Sequence, residues 1–272
     1  MAVTNGWGQG VENNTIEWGK GSTNNANNWG SIYGSSAAGD TLLSGASFSN
    51  TRSIDLDGTD QYMNTGSFTS FDGQDKFSVS MWLKMPSSGG GYVLAKNHSS
   101  SYWANRFNFF VDEGKIEVNT THLAFRNTGL SLGNNWINVI FVIDRTQGVV
   151  LNRCKVYVNG SVIVNSGNSN FGTIVADSEP LLVGTRTVGT SSPAINNPFE
   201  GEIDEVSLFN IALDATQCSA IGSTTPTDLT GHAGLINWWR FEEGSGTSVA
   251  DQVGSNNGTL INSPTFSTNV PT

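Results

Sequence analysis

A chain of 272 residues has room for one large domain and an appendage, or for two small domains. Its 13% of charged residues, against a usual ~25%, and its 32 Gly favour short strands joined by turns and exclude an architecture of long amphipathic helices. A formal net charge of −10 argues against nucleic acid and anionic membranes as partners, and no apolar run approaches the ~20 residues of a membrane-spanning helix.

The N-terminus, Met1-Ala2-Val3-Thr4-Asn5-Gly6, carries neither a basic stretch nor an apolar one, so no classical signal peptide is expected. A repeat follows. Trp7-Gly8-Gln9-Gly10, Trp18-Gly19-Lys20-Gly21 and Trp29-Gly30 recur with a period of 11 residues. That period also suits a right-handed coiled coil, but two Gly per unit, each costing about 1 kcal/mol relative to Ala in a helix, rule the helical reading out. The segment is too polar to fold alone. Residues 1–45 therefore read as an extended docking arm whose anchors are Trp7, Trp18 and Trp29; the alternative is a Trp-decorated edge of the domain that follows.

From about Ser47 the pattern becomes that of strands. Ser53–Asp57 alternates apolar and polar residues, and Phe77–Leu83 alternates and then runs apolar. Further strands are expected at Tyr92–Ala95, Arg106–Val111, Lys115–Val118, Trp136–Ile143, Lys155–Val158, Leu181–Val183 and Glu202–Phe209. Turn signals such as Asp57-Gly58, Asp72-Gly73, Glu113-Gly114 and Asn159-Gly160 separate them, and Gly89-Gly90-Gly91 reads as a flexible hairpin tip. Many short strands at this spacing predict an all-β, antiparallel β-sandwich or jelly roll. One short helix is expected, capped by Asp214 with Gln217 as its reciprocal partner and ended by Gly222. Ser223–Thr227 reads as a linker, after which Gly234–Phe241 resumes strand structure. Residues 258–267 echo residues 40–49 without a gap. Two cysteines, Cys154 and Cys218, make no disulfide framework, and Cys154 is expected to be a buried free thiol.

The middle of the chain resembles the laminin G-like/concanavalin A-like lectin superfamily. The resemblance is carried by Ile54-Asp55-Leu56-Asp57-Gly58-Thr59-Asp60-Gln61-Tyr62, Phe77–Leu83, Lys155-Val156-Tyr157-Val158-Asn159-Gly160, Leu182-Val183-Gly184 and, most specifically, Phe199–Asn210. It implies a sandwich over residues 46–222. Leu235–Gly246 is similar to the strand that normally opens such a domain, yet here it follows it. Residues 223–272 thus comprise a linker and strands that either complete the chain's own sandwich or pair with a neighbouring subunit, a truncated second domain being the plainer alternative. The Trp-Gly arm resembles the N-termini of virion proteins of tailed phages. That likeness implies a non-enzymatic virion surface protein, a capsid decoration or head-fibre-like subunit, made in the host cytoplasm. Capsid or tail proteins would be its partners, and a homo-oligomer such as a trimer its state. The alternative is a carbohydrate-binding lectin module that recognises host polysaccharide.

Some enzymes of the same fold cleave β-glucans with Glu-x-Asp-x-x-Glu on one strand. Here the third carboxylate is replaced by Ser207, and alternation would turn Glu205 to the face opposite Glu202 and Asp204, so no catalytic residue is expected. His98, His122 and His232 have no zinc spacing. The resemblance implies calcium at the rim, held by Asp57, Asp60 and Asp204; aspartates hydrogen-bonded within turns are the equal alternative. For a glycan, the loop with Tyr102, Trp103 and Asn105 combines an aromatic with an amide, followed by Asn196-Asn197.

Overall fold

Apolar side chains line both faces of the strand at Ile137–Asp144, which therefore needs a cover on each side. The computed structural model of the chain supplies both covers. It describes residues 48–96, 107–119, 123–130, 132–163, 171, 174, 178–188 and 194–272. The arm with Trp7, Trp18 and Trp29, and the loop with Tyr102, Trp103 and Asn105, lie outside the described residues.

The strands in chain order are β1 (Ser53–Asp57), β2 (Tyr62–Ser67), β3 (Lys76–Lys84), β4 (Gly90–Lys96), β5 (Phe107–Asp112), β6 (Gly114–Asn119), β7 (Leu123–Leu130), β8 (Ile137–Asp144), β9 (Cys154–Val158), β10 (Ser161–Ile163), β11 (Pro180–Val183), β12 (Arg186–Val188), β13 (Ala194–Asn196), β14 (Glu200–Phe209), β15 (Leu235–Trp239), β16 (Ser248–Val249), β17 (Gly258–Ile261) and β18 (Thr265–Ser267), with one helix, α1 (Ala215–Ile221). Two antiparallel sheets result, beside a separate two-stranded hairpin of β12 and β13. The first runs β10-β9-β8-β3-β14, and β1, β15 and β18 extend it; the second runs β16-β17-β2-β11-β4-β5-β6-β7. A single pairing, Glu200 with Gly90, joins the two.

Between the sheets lies the main core, which draws Phe77, Val79, Met81 and Leu83 from β3 and Phe107, Phe109 and Val111 from β5. Phe109 and Phe141 stack across it with ring centroids 4.2 Å apart. A smaller core covers the outer face of the first sheet, where Ile140, Tyr157, Phe209 and Trp238 meet Cys218 and Ile221 of α1. The helix has the expected capping box, with Asp214 accepting from Gln217 N, Gln217 accepting in return, and Gly222 at the C-cap. Leu229, just past the segment read as a linker, is packed into this smaller core. Both cysteines are free and buried.

One expectation is corrected. Gly90 and Gly91 are no hairpin tip but the first residues of β4, with φ of 135° and 145°. A Cβ on Gly91 would sit 2.5 Å from the carbonyl oxygen of Pro198, so only glycine lets the backbone before β14 cross here.

Candidate functional site

β14 changes partner half-way along one edge. β1 pairs with Glu200–Ile203 and β15 with Val206–Phe209, end to end. A β-bulge at Asp204–Glu205 lies at the seam, and there the ladder with β3 slips between Asp204 and Ser207. The bulge sets Glu205 at φ 48° and corrects the alternation expected from the sequence. Ile203 and Val206 both face the main core, so the two carboxylates between them both turn away from it. Glu205 Oε2 accepts from Trp238 Nε1 at 2.6 Å, and Oε1 from Arg240 Nε at 2.9 Å. Asp204 accepts from Asn50 Nδ2 and from the amide of Glu205. Burial pushes both carboxyls up, Glu205 to about 7 despite Arg240 and Trp238, and Asp204 well above its usual range with the Glu205 charge adding to the effect. Glu202 has different company: Ser267 Oγ and Asn269 Nδ2 donate to it. With Asp204 0% exposed and Glu205 4%, no substrate reaches this pair, and its role is to join the end of β15 to the start of β1.

The three aspartates named for calcium do not converge. Asp57 pairs with Glu200, which places Asp204 four residues along the ladder, about 13 Å away. Asp57 Oδ1 accepts from the amide of Thr59 in a turn, and the Asp60 carbonyl accepts from Asn262. Among the described residues no group of three His, Cys, Asp or Glu side chains could hold a metal ion.

A different constellation forms on the outer face of the second sheet. Register puts Tyr92 opposite Phe110 and Phe110 opposite Glu117, with Ala95, Asn108 and Asn119 in the next row. Tyr92 and Phe110 meet edge to face at 5.0 Å. The guanidinium of Arg186 lies 4.2 Å over the Tyr92 ring and the ammonium of Lys115 4.5 Å over Phe110. Arg186 Nε and Nη2 both donate to Asn196 Oδ1, at 2.9 and 2.7 Å, across the β12–β13 hairpin. Asn197, with φ 45°, accepts from the Tyr92 amide and ties that hairpin to β4. Asn108 is 0% exposed, and neither polar atom of its side chain has a partner. A buried amide without partners is costly, and such groups in a native fold call for a reason.

Sequence reasoning reached Asn196-Asn197 but missed Tyr92, Phe110, Asn108 and Arg186. Tyr92 and Phe110 look like ordinary strand residues. The available signal was Arg186, a lone cation in the neutral run Gly184-Thr185-Arg186-Thr187.

The sequence profile of the concanavalin A-like lectin/glucanases superfamily matches residues 57–219, which include this face and more than half of the chain. The chain belongs to that superfamily. Among curated proteins none matches it. A solved structure from Bacteroides ovatus, to which carbohydrate binding is provisionally ascribed, is similar over 81% of this chain at 16% identity with a TM-score of 0.58. The chain spans 60% of that protein's length. The heptameric SAP-like pentraxin of Limulus polyphemus is similar over 78% of this chain and 94% of its own, at 16% identity and a TM-score of 0.52. At this identity both likenesses bear on the fold. The profile match ends before β15, and strands that follow the matched region in sequence pair with the sheets here.

Proposed function

We propose that the chain is a non-catalytic, lectin-like module that binds carbohydrate through the outer face of its second sheet. The observation that carries this reading is a pair of rings that each hold a cation, Arg186 over Tyr92 and Lys115 over Phe110, with Asn196 fixing the arginine. Polar groups converging beside aromatic ones are what a sugar site requires. The superfamily fold and the carbohydrate binding ascribed to the Bacteroides ovatus protein support it. The burial of Asp204 and Glu205 supports the absence of catalysis.

The setting we infer is a virion surface. The Trp-Gly repeat is the feature in its favour, with the arm docking on capsid or tail proteins and the sandwich displayed as a homo-oligomer toward host polysaccharide. Calcium enters this proposal only as the rim ion that the family resemblance implies near Asp57 and Asp60; Asp204, buried at the bulge, is not among its ligands.

Replacing Arg186 and Lys115 together by Ala is the test. Both side chains are half-exposed, so their loss should change stability by about 1 kcal/mol or less. On a glycan array the wild-type protein should bind a defined set of sugars and release no reducing ends from them. The double variant should melt within a few degrees of wild type and bind those sugars several-fold more weakly. Unchanged binding in a well-folded double variant would remove this face from the site.

A further inference from the structure

We propose that this face takes an acidic sugar, and that the free end of the Arg186 guanidinium clamps its carboxylate. The inference rests on the lectin-like reading above and gives it a ligand class. A guanidinium offers two edges for paired hydrogen bonds. The side edge, Nε with Nη2, is held by Asn196 Oδ1. The ring of Tyr92 covers one flat side. The end edge, Nη1 with the second hydrogen of Nη2, remains, and among the described residues no carboxylate lies within ion-pair distance of it. The arginine is thus oriented by two contacts, neither of which neutralises it.

That arrangement is unusual in a chain with 23 acidic and 13 basic residues. An Asp in place of Asn196 would complete an internal bidentate salt bridge at the same distances; the amide fixes the geometry and leaves the charge. The neighbouring groups act in the same direction. Lys115 sits over the adjacent ring. Glu117, on the same face, is held by Arg126 at 2.9 Å. Asp112 lies opposite Lys115 in the ladder, where it competes for that lysine. The rings themselves argue the same way, because a ring face already occupied by a cation is not open to the C–H face of a neutral sugar. A planar carboxylate in the plane of Arg186, with Lys115 as a second positive charge, fits what is left. Phosphate and sulfate share the two-oxygen edge, but a trigonal carboxylate matches the planar fork best.

The experiment uses the full chain on an array spanning uronate-bearing, sialate-bearing, sulfated and neutral oligosaccharides. The strongest acidic sugar is then titrated calorimetrically beside its carboxyl-reduced form. We expect carboxylated sugars to dominate, and reduction of the carboxyl to weaken binding about tenfold or more. Arg186→Lys keeps the charge and loses the fork, and should weaken the acidic sugar by a similar factor. Asn196→Asp supplies an internal carboxylate, and should weaken the acidic sugar while the protein melts at or above the wild-type temperature, which separates loss of the clamp from loss of folding. Equal binding of the acid and its reduced form, or undiminished binding by Asn196→Asp, overturns the proposal. Binding confined to sulfated sugars overturns the carboxylate assignment. Binding confined to neutral sugars overturns the inference and leaves the lectin-like reading standing, whereas binding to no glycan removes both.

Discussion

Glu205 shows how much chemistry one residue at a bulge can collect. Its φ of 48° is a conformation that costs a residue with a side chain roughly 1 kcal/mol or more, and it persists because Trp238 and Arg240 hold the carboxylate. Burial raises its pKa from 4.5 to about 7, with Asp204 beside it raised as well and Glu242 adding negative charge against Arg240. A folded-state pKa above the unfolded one means that the folded protein binds the extra proton. Stability should therefore fall as pH rises from about 4.5 to about 7 and stay at the lower level above that, by at most about 3 kcal/mol for Glu205. Urea midpoints measured at pH 5 and pH 8 should show wild type more stable at the lower pH, and Glu205→Gln should shrink the difference. An unchanged difference would mean that Glu205 ionises freely in the folded protein. The sequence named these carboxylates but assigned Glu205 to the wrong face, because strict alternation holds only until a strand gains an extra residue.

At the level of elements, the strands after residue 234 belong to the body of the sandwich. β15 lies beside β14, β17 beside β2 and β18 beside β1. Trp239 is buried in the main core and Trp238 in the smaller one, the opposite-face placement that two adjacent strand residues must take. Asp251 fixes the following turn by accepting from the amides of Trp238, Gly254 and Asn256 and from the side chain of Asn237. Deleting a buried Trp side chain costs ~3–5 kcal/mol, against a total of ~5–15 kcal/mol for a domain. A chain ending at Thr225 loses both Trp and exposes one edge each of β1, β2 and β14. It should be insoluble or lack a cooperative melt, although every residue of the family match is present. A truncated chain with the full-length melting temperature would show these strands to be dispensable. β8 and β9 were legible as apolar or alternating runs, whereas β2, β7, β10, β12 and β13 were missed because short or polar strands differ little from loops until a partner strand supplies their hydrogen bonds.

For the whole molecule, the described unit starts at Phe48, and its first residues are tied to the far end of the chain. Phe48 stacks on Trp238, Arg240 lies over Phe48, and Glu242 accepts from the amides of Thr51 and Arg52. The arm should therefore be separable at residue 45. Deletion of residues 1–45 should leave the thermal melt within a few degrees of wild type and abolish incorporation into purified particles, as read by mass spectrometry. Loss of the cooperative melt would make the arm part of the folded core.

The sequence by itself determined the fold class and the capped helix, because alternation and caps are local properties that each few residues express on their own. It also named Asn196. Only the tertiary structure decided which groups share a surface. Tyr92, Phe110 and Arg186 are separated by tens of residues, and their meeting depends on the register of β4 against β5 and on the closure of the β12–β13 hairpin. The same holds for Asp57 and Asp204, which fall apart along β14, and for Glu205, whose direction was set by one slipped pairing with β3. Register is fixed by the packing of whole faces against one another, and no short run of residues carries that information.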